Sequence, residues 1–102
     1  MDRIEKIREM EKALNASIEA LQKLSAEVDH YSTVQEQMQL LFDYYFSSQW
    51  RADCEADSRG EFPTDLKRGV LSEDAVYDLF TDNQRLLEQL RQLADGHKKY
   101  PD

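Results

Sequence analysis

The sequence predicts an all-α protein: an antiparallel three-helix bundle with a short helical turn between its second and third helices. Two observations carry this. Apolar residues recur at alternating three- and four-residue steps over most of the chain, the period of an amphipathic helix. Three glycines and two prolines in 102 residues, none of them before residue 60, leave too little turn chemistry for a β fold. A chain of this length makes one small domain, residues 1–102, with helices near 3–29, 34–57 and 73–95 and a turn over 63–68.

The first helix carries Ile4, Ile7, Leu14, Ile18, Leu21 and Val28 as one stripe, widened by Met10 and Leu24. Asp2, with Glu5 three residues on, has the pattern of a start cap. Continued at heptad spacing beyond Val28, that stripe falls on Ser32, Gln35 and Gln39, whereas the next apolar series runs through Val34, Met38, Leu41 and Tyr45. Thr33 and Glu36 match a capping box, in which a hydroxyl and a carboxylate satisfy the orphan amides of a new helix. The expectation is a break at 29–33. The alternative is one continuous helix that dimerises as a coiled coil.

The second helix contains "LLFDYYFSSQW", residues 40–50. At about 100° per residue its apolar positions leave only a narrow polar arc, so it needs cover on several sides. Two readings compete for its aromatic surface: a central helix packed by both neighbours, or a surplus that meets a partner.

In the connector, Pro63 suits the first position of a helical turn, where its missing amide costs nothing. "PTDLKR" is expected to make a turn and a half and Gly69 to end it. Ser72 is an N-cap, and Glu73 and Asp74 follow where the helix dipole favours negative charge. Leu71 and Val76 flank that cap as a hydrophobic staple. The third helix repeats Val76, Leu79, Phe80, Leu86, Leu87, Leu90 and Leu93, and Gly96 is expected to cap it in the left-handed conformation.

Residues 44–79 also carry a resemblance. "YY…W..D", read from Tyr44, Tyr45, Trp50 and Asp53, followed by "G.FP.DLKRGVLSEDAVYDL" over 60–79, resembles the small bacterial proteins grouped as domain of unknown function 4298. The likeness extends from "RIEKIREME" to the end of the third helix, where the first helix matches only as an amphipathic pattern. It implies a compact helical protein of about this length, and brings no established activity.

Net charge is −8 and unevenly spread: residues 31–58 hold five acids against one base, whereas residues 59–72 hold two against three. So acidic a chain repels phosphate backbones, which disfavours direct nucleic-acid binding, and its field speeds capture of a basic partner. The opening "DRIEKIREMEK" puts charge where a signal peptide needs an apolar core. No apolar run is long enough to span a membrane. A lone cysteine, Cys54, has no internal disulfide partner and is expected as an ordinary half-buried thiol, which fits a cytoplasmic location.

"DCEADSRG" spaces Asp53, Glu55 and Asp57 as a calcium loop does, but the sixth and twelfth positions, glycine and glutamate in an EF-hand, are Ser58 and Thr64 here. His30 and His97 stand apart from any cysteine cluster, so no zinc site is expected. The chain lacks a phosphate-cradling glycine loop and a nucleophile elbow. The expectation is a protein without catalytic residues, metal or cofactor.

Binding remains. The densest coincidence of aromatics and acids is Tyr44, Trp50, Asp53, Glu55 and Asp57, together with Glu73, Asp74, Tyr77 and Asp78. An acidic surface with aromatic anchors suits a basic cleft. The leading expectation is a cytoplasmic protein that neutralises another protein, in its most concrete form an immunity protein or antitoxin that occludes a basic nuclease toxin. The alternative is a helical adaptor or regulatory module that pairs with itself as a homodimer. Lys67 and Arg68 are expected to hold the connector against the acidic second helix.

Overall fold

The structure, a computed structural model, describes residues 2–101. Among them the regular structure is helical: α1 (Arg3–Tyr45), α2 (Ser48–Ser58), a 3-10 turn (Gly69–Leu71) and α3 (Glu73–Asp95). The chain forms two compact units, the first ending at Gln39 and the second beginning at Leu40.

Three helices are present as expected, with different boundaries. α1 runs unbroken for 43 residues, through the break expected at 29–33. A continuous helix does not fold back, so residues 3–29 and 34–45 are not the antiparallel pair of the expected bundle. The start behaves as read: an Asp2 carboxylate oxygen accepts the Glu5 amide at 2.8 Å. Thr33 does not cap. Its hydroxyl donates to the His30 carbonyl (2.6 Å), and that of Ser32 donates to Val28 (2.9 Å). Both hydroxyls bond back to carbonyls of their own helix, which accommodates them without ending it; with no new helix to start there, Glu36 closes no capping box. A second heptad frame also runs on where the first fails: Leu21, Leu24, Val28, Tyr31, Gln35, Met38, Phe42 and Tyr45, at alternating three- and four-residue steps.

The chain does break, but later. The Ser47 hydroxyl donates to the Tyr44 carbonyl and accepts the Trp50 amide, closing α1 and opening α2 with one side chain. Serine at an N-cap is favoured because its oxygen replaces a missing intrahelical acceptor.

α2 ends in a Schellman motif. The Gly60 amide donates to Asp57 (3.0 Å) and the Glu61 amide to Ala56 (3.2 Å), with Gly60 at φ +71°. Only glycine takes that conformation without steric cost. Gly60→Ala is therefore expected to destabilise the protein by about 1–2 kcal/mol. Gly69→Ala, where an added Cβ meets nothing within 4 Å and φ is not in that range, should change little. Denaturant midpoints of the two variants check the contrast.

Two readings of the connector change. The turn begun by Pro63 is a single one, closed by the Leu66 amide on the Pro63 carbonyl (3.2 Å). Gly69 starts the 3-10 turn instead of stopping a helix. Gly96 caps α3 at φ −82°, in the right-handed and not the left-handed region. The Ser72 cap stands: its hydroxyl accepts the Ala75 amide at 3.4 Å, with Glu73 and Asp74 in the first turn behind it.

The second unit is held by aromatics. Phe80 of α3 meets the edges of Phe42 and Phe46, with ring centroids 5.2 and 5.3 Å apart, and Tyr45 packs on Trp50 at 4.7 Å. Val76, 4% exposed, is the one described residue that is fully buried. Leu71, its partner in the expected staple, is half-buried.

Candidate binding surface

The residues singled out around α2 meet, and they meet mostly each other. The Tyr44 hydroxyl donates to an Asp53 carboxylate oxygen at 2.6 Å, and the Trp50 indole N–H donates to the Val70 carbonyl at 2.8 Å. Arg68 donates to Asp57 at 2.8 Å, which ties the connector to α2 as expected. Arg59 pairs with Glu61. Asp53, Glu55 and Asp57 therefore lie on a helix, not in a cation-binding loop, and two of the three already hold partners.

Lys67 takes another place. With Arg68 it lines a cleft of about 290 Å³ whose apolar walls are Phe62, Leu66, Val70 and Leu71 and whose other polar groups are Tyr44 and Asp53. That volume is at the small end of the range for ligand pockets, roughly 300–1,000 Å³, and suits one side chain of a partner as well as a small molecule.

The charges around the cleft shift its titrations. Tyr44 is pushed up to about 12, first by its bond to the Asp53 carboxylate and then by burial and neighbouring negative charge. Burial raises Tyr45 as well, with Glu73 next, and its hydroxyl donates to the Glu73 carbonyl. Cys54 is half-buried, its thiol donating to the Leu71 carbonyl at 3.6 Å. Burial first, then Asp57 and Asp53, raise its pKa. A thiol held protonated in this way is a poor nucleophile.

Tyr44 gives a prediction with a definite sign. Its folded pKa lies above the ordinary value near 10, so its contribution to stability is fully present below pH 10 and is lost as pH rises through about 12. Titration followed by phenolate ultraviolet absorbance should show a late-ionising tyrosine, and Tyr44→Phe should remove that late step.

Four of the predicted acids remain on the surface, three of them with a tyrosine beside them. Glu73, Asp74 and Asp78 are exposed on the first turns of α3 around Tyr77, itself 52% exposed, and Glu55 is exposed on α2. A family model for a domain of unknown function, DUF4298, matches residues 7–93. The chain belongs to that family. The match takes in α2, the connector and nearly all of α1 and α3, so the resemblance read from residues 44–79 holds for most of the chain. Comparison with curated proteins and with solved structures gives no match.

In the expected antiparallel bundle of this DUF4298 chain, the apolar stripe of the first helix would face its neighbours. From Ile4 to Val28 the stripe of α1 lies on the surface, 45% exposed at Val28 and up to 69% at Leu21. Among the described residues of the first unit, α1 is the one element of regular structure. The signal that could have shown this is the second heptad frame, apolar except at Gln35, which argues against a turn that would bring a neighbour back. Among the described residues no helix is long and apolar enough to cross a membrane.

Proposed function

We propose that the protein works by binding polypeptides through α1, as a helical adaptor and not as a catalyst. The observation that carries this reading is the exposed stripe of Ile4, Ile7, Met10, Leu14, Ile18, Leu21, Leu24 and Val28. Contiguous apolar surface of this kind on a charged helix is a contact surface, because leaving it in water is unfavourable. In an antiparallel three-helix bundle the stripe would be core; on a helix that runs to Tyr45 it is free to take another chain. The test is a photo-crosslinking amino acid placed in living cells at Leu14, at Ile18 and, on the opposite face, at Ala16. Adducts at the first two and not the third are expected; no adduct at any of them would end the reading.

A different observation favours a second reading. The exposed acids around Tyr77 form the kind of surface that steers a basic partner into contact while a tyrosine anchors it. In its most concrete form this is an immunity protein or antitoxin that occludes a basic nuclease. Asp74→Lys with Asp78→Lys should then abolish protection from the toxin and slow association. An association rate indifferent to salt would count decisively against it.

A further inference from the structure

The stripe of α1 also indicates what covers it. Four of its residues, Ile7, Leu14, Leu21 and Val28, follow a seven-residue repeat, whereas a straight helix repeats every 3.6 residues, so the stripe winds slowly around α1. A flat surface cannot follow such a path, but another helix that winds with it can, by seating its own side chains in the holes between those of the stripe. The surface runs for 25 residues, roughly 37 Å of helix.

Charge then selects the helix and its direction. Four of the five bases in residues 1–30 fall at Arg3, Lys6, Arg8 and Lys12, where Asp2, Glu5, Glu9 and Glu11 balance them, and from Leu24 to Trp50 there is no lysine or arginine at all. Along the stripe that second stretch instead carries Glu27 and Asp29. Two parallel copies would set Glu27 and Asp29 against themselves, a repulsive arrangement. Two antiparallel copies avoid that: they set the charge-balanced end of each, with Arg3 level with Asp29, against the acidic end of the other. A uniformly basic partner helix would suit only one end of the stripe. Reversed self-pairing suits both, and its two-fold symmetry closes the assembly.

We infer that the α1 stripe from Ile4 to Val28 is closed by the same stripe of a second copy running antiparallel, so that the protein is a coiled-coil dimer. The inference rests on the reading of α1 as a binding surface and names its occupant. In this arrangement Ile4 of one chain lies beside Val28 of the other, with Leu14 and Ile18 near the dyad.

Disulfide trapping tests both the occupant and the direction. In a full-length chain with Cys54→Ser, two variants are made, Ile4→Cys and Val28→Cys. Under mild oxidation the mixture should form disulfide dimers while each variant alone forms few. Dimers from each variant alone and not from the mixture would overturn the direction. No dimer in any of the three would overturn self-pairing. Adding Leu14→Lys and Ile18→Lys should abolish trapping, and trapping that survives them would show that the stripe is not the contact. The two proposals fail separately. Crosslinks in cells from Leu14 and Ile18 to a different protein, without disulfide trapping, sink the dimer and leave the adaptor reading standing; no crosslink and no trapping sink both.

Discussion

Val76→Asp is expected to destabilise the second unit by about 3–5 kcal/mol, enough to unfold most of it at room temperature. Val76 is 4% exposed, and every other described residue keeps more contact with water. A carboxylate there is removed from solvent, and a buried charge without a partner is among the costliest single changes a small protein can receive. The neighbouring charges offer no rescue, because Glu73 and Asp74 begin the same helix and are themselves acidic. Val76→Ala, which removes two methyl groups without adding charge, should cost far less, about 1–2 kcal/mol. Urea unfolding followed by Trp50 fluorescence separates the two, and similar midpoints for them would show that Val76 is not a core position.

Trp50→Ala should cost about 3 kcal/mol, toward the lower end for a large aromatic because the residue is half-buried. Its indole does two things at once. The ring packs on Tyr45 at 4.7 Å, and its N–H donates to the Val70 carbonyl at 2.8 Å, joining α2 to the 3-10 turn. Trp50→Phe keeps a ring and leaves that carbonyl without its donor, so the loss should fall to about 1–2 kcal/mol. The ordering Ala below Phe below wild type, read from guanidinium midpoints, checks the assignment. Equal losses would mean that the ring contributes little beyond its hydrogen bond.

The comparison of sequence with structure turns on where helices end. Asp2 and Ser72 cap as read, because each places its oxygen beside a free amide three residues on. Thr33 has the same local pattern and does not cap, since its hydroxyl is satisfied within a helix that nothing forces to stop. Ser47 carries the break instead. It was hidden because Tyr44, Tyr45, Phe46 and Trp50 continue the apolar pattern on both sides of it. Gly60, Gly69 and Gly96 show the same limit. A glycine marks a place where the chain can turn, and which of them takes the left-handed conformation depends on the hydrogen bonds around it.

The candidate site was legible in its members more than in their roles. Tyr44, Trp50, Asp53 and Asp57 come together, as their density in the sequence suggested, but their polar atoms are spent on one another, on Val70 and on Arg68. Spacing along a chain shows which groups are near; it does not show whether a neighbour nine to twenty residues away has already taken the bond. Arg68 was expected to hold the connector and does, while Lys67 beside it lines the cleft. The stripe of α1 was read correctly as an apolar face. Its exposure was not, because the reading supplied a turn at 29–33, where α1 runs on.

Sedimentation equilibrium of the full chain tests the central claim most directly. A pair closed through the α1 stripe predicts twice the 12.0 kDa chain mass, falling to a single chain mass in the Leu14→Lys, Ile18→Lys variant while the near-ultraviolet circular dichroism of the aromatic cluster stays unchanged. A wild-type protein that sediments at 12.0 kDa at every concentration tested would contradict it.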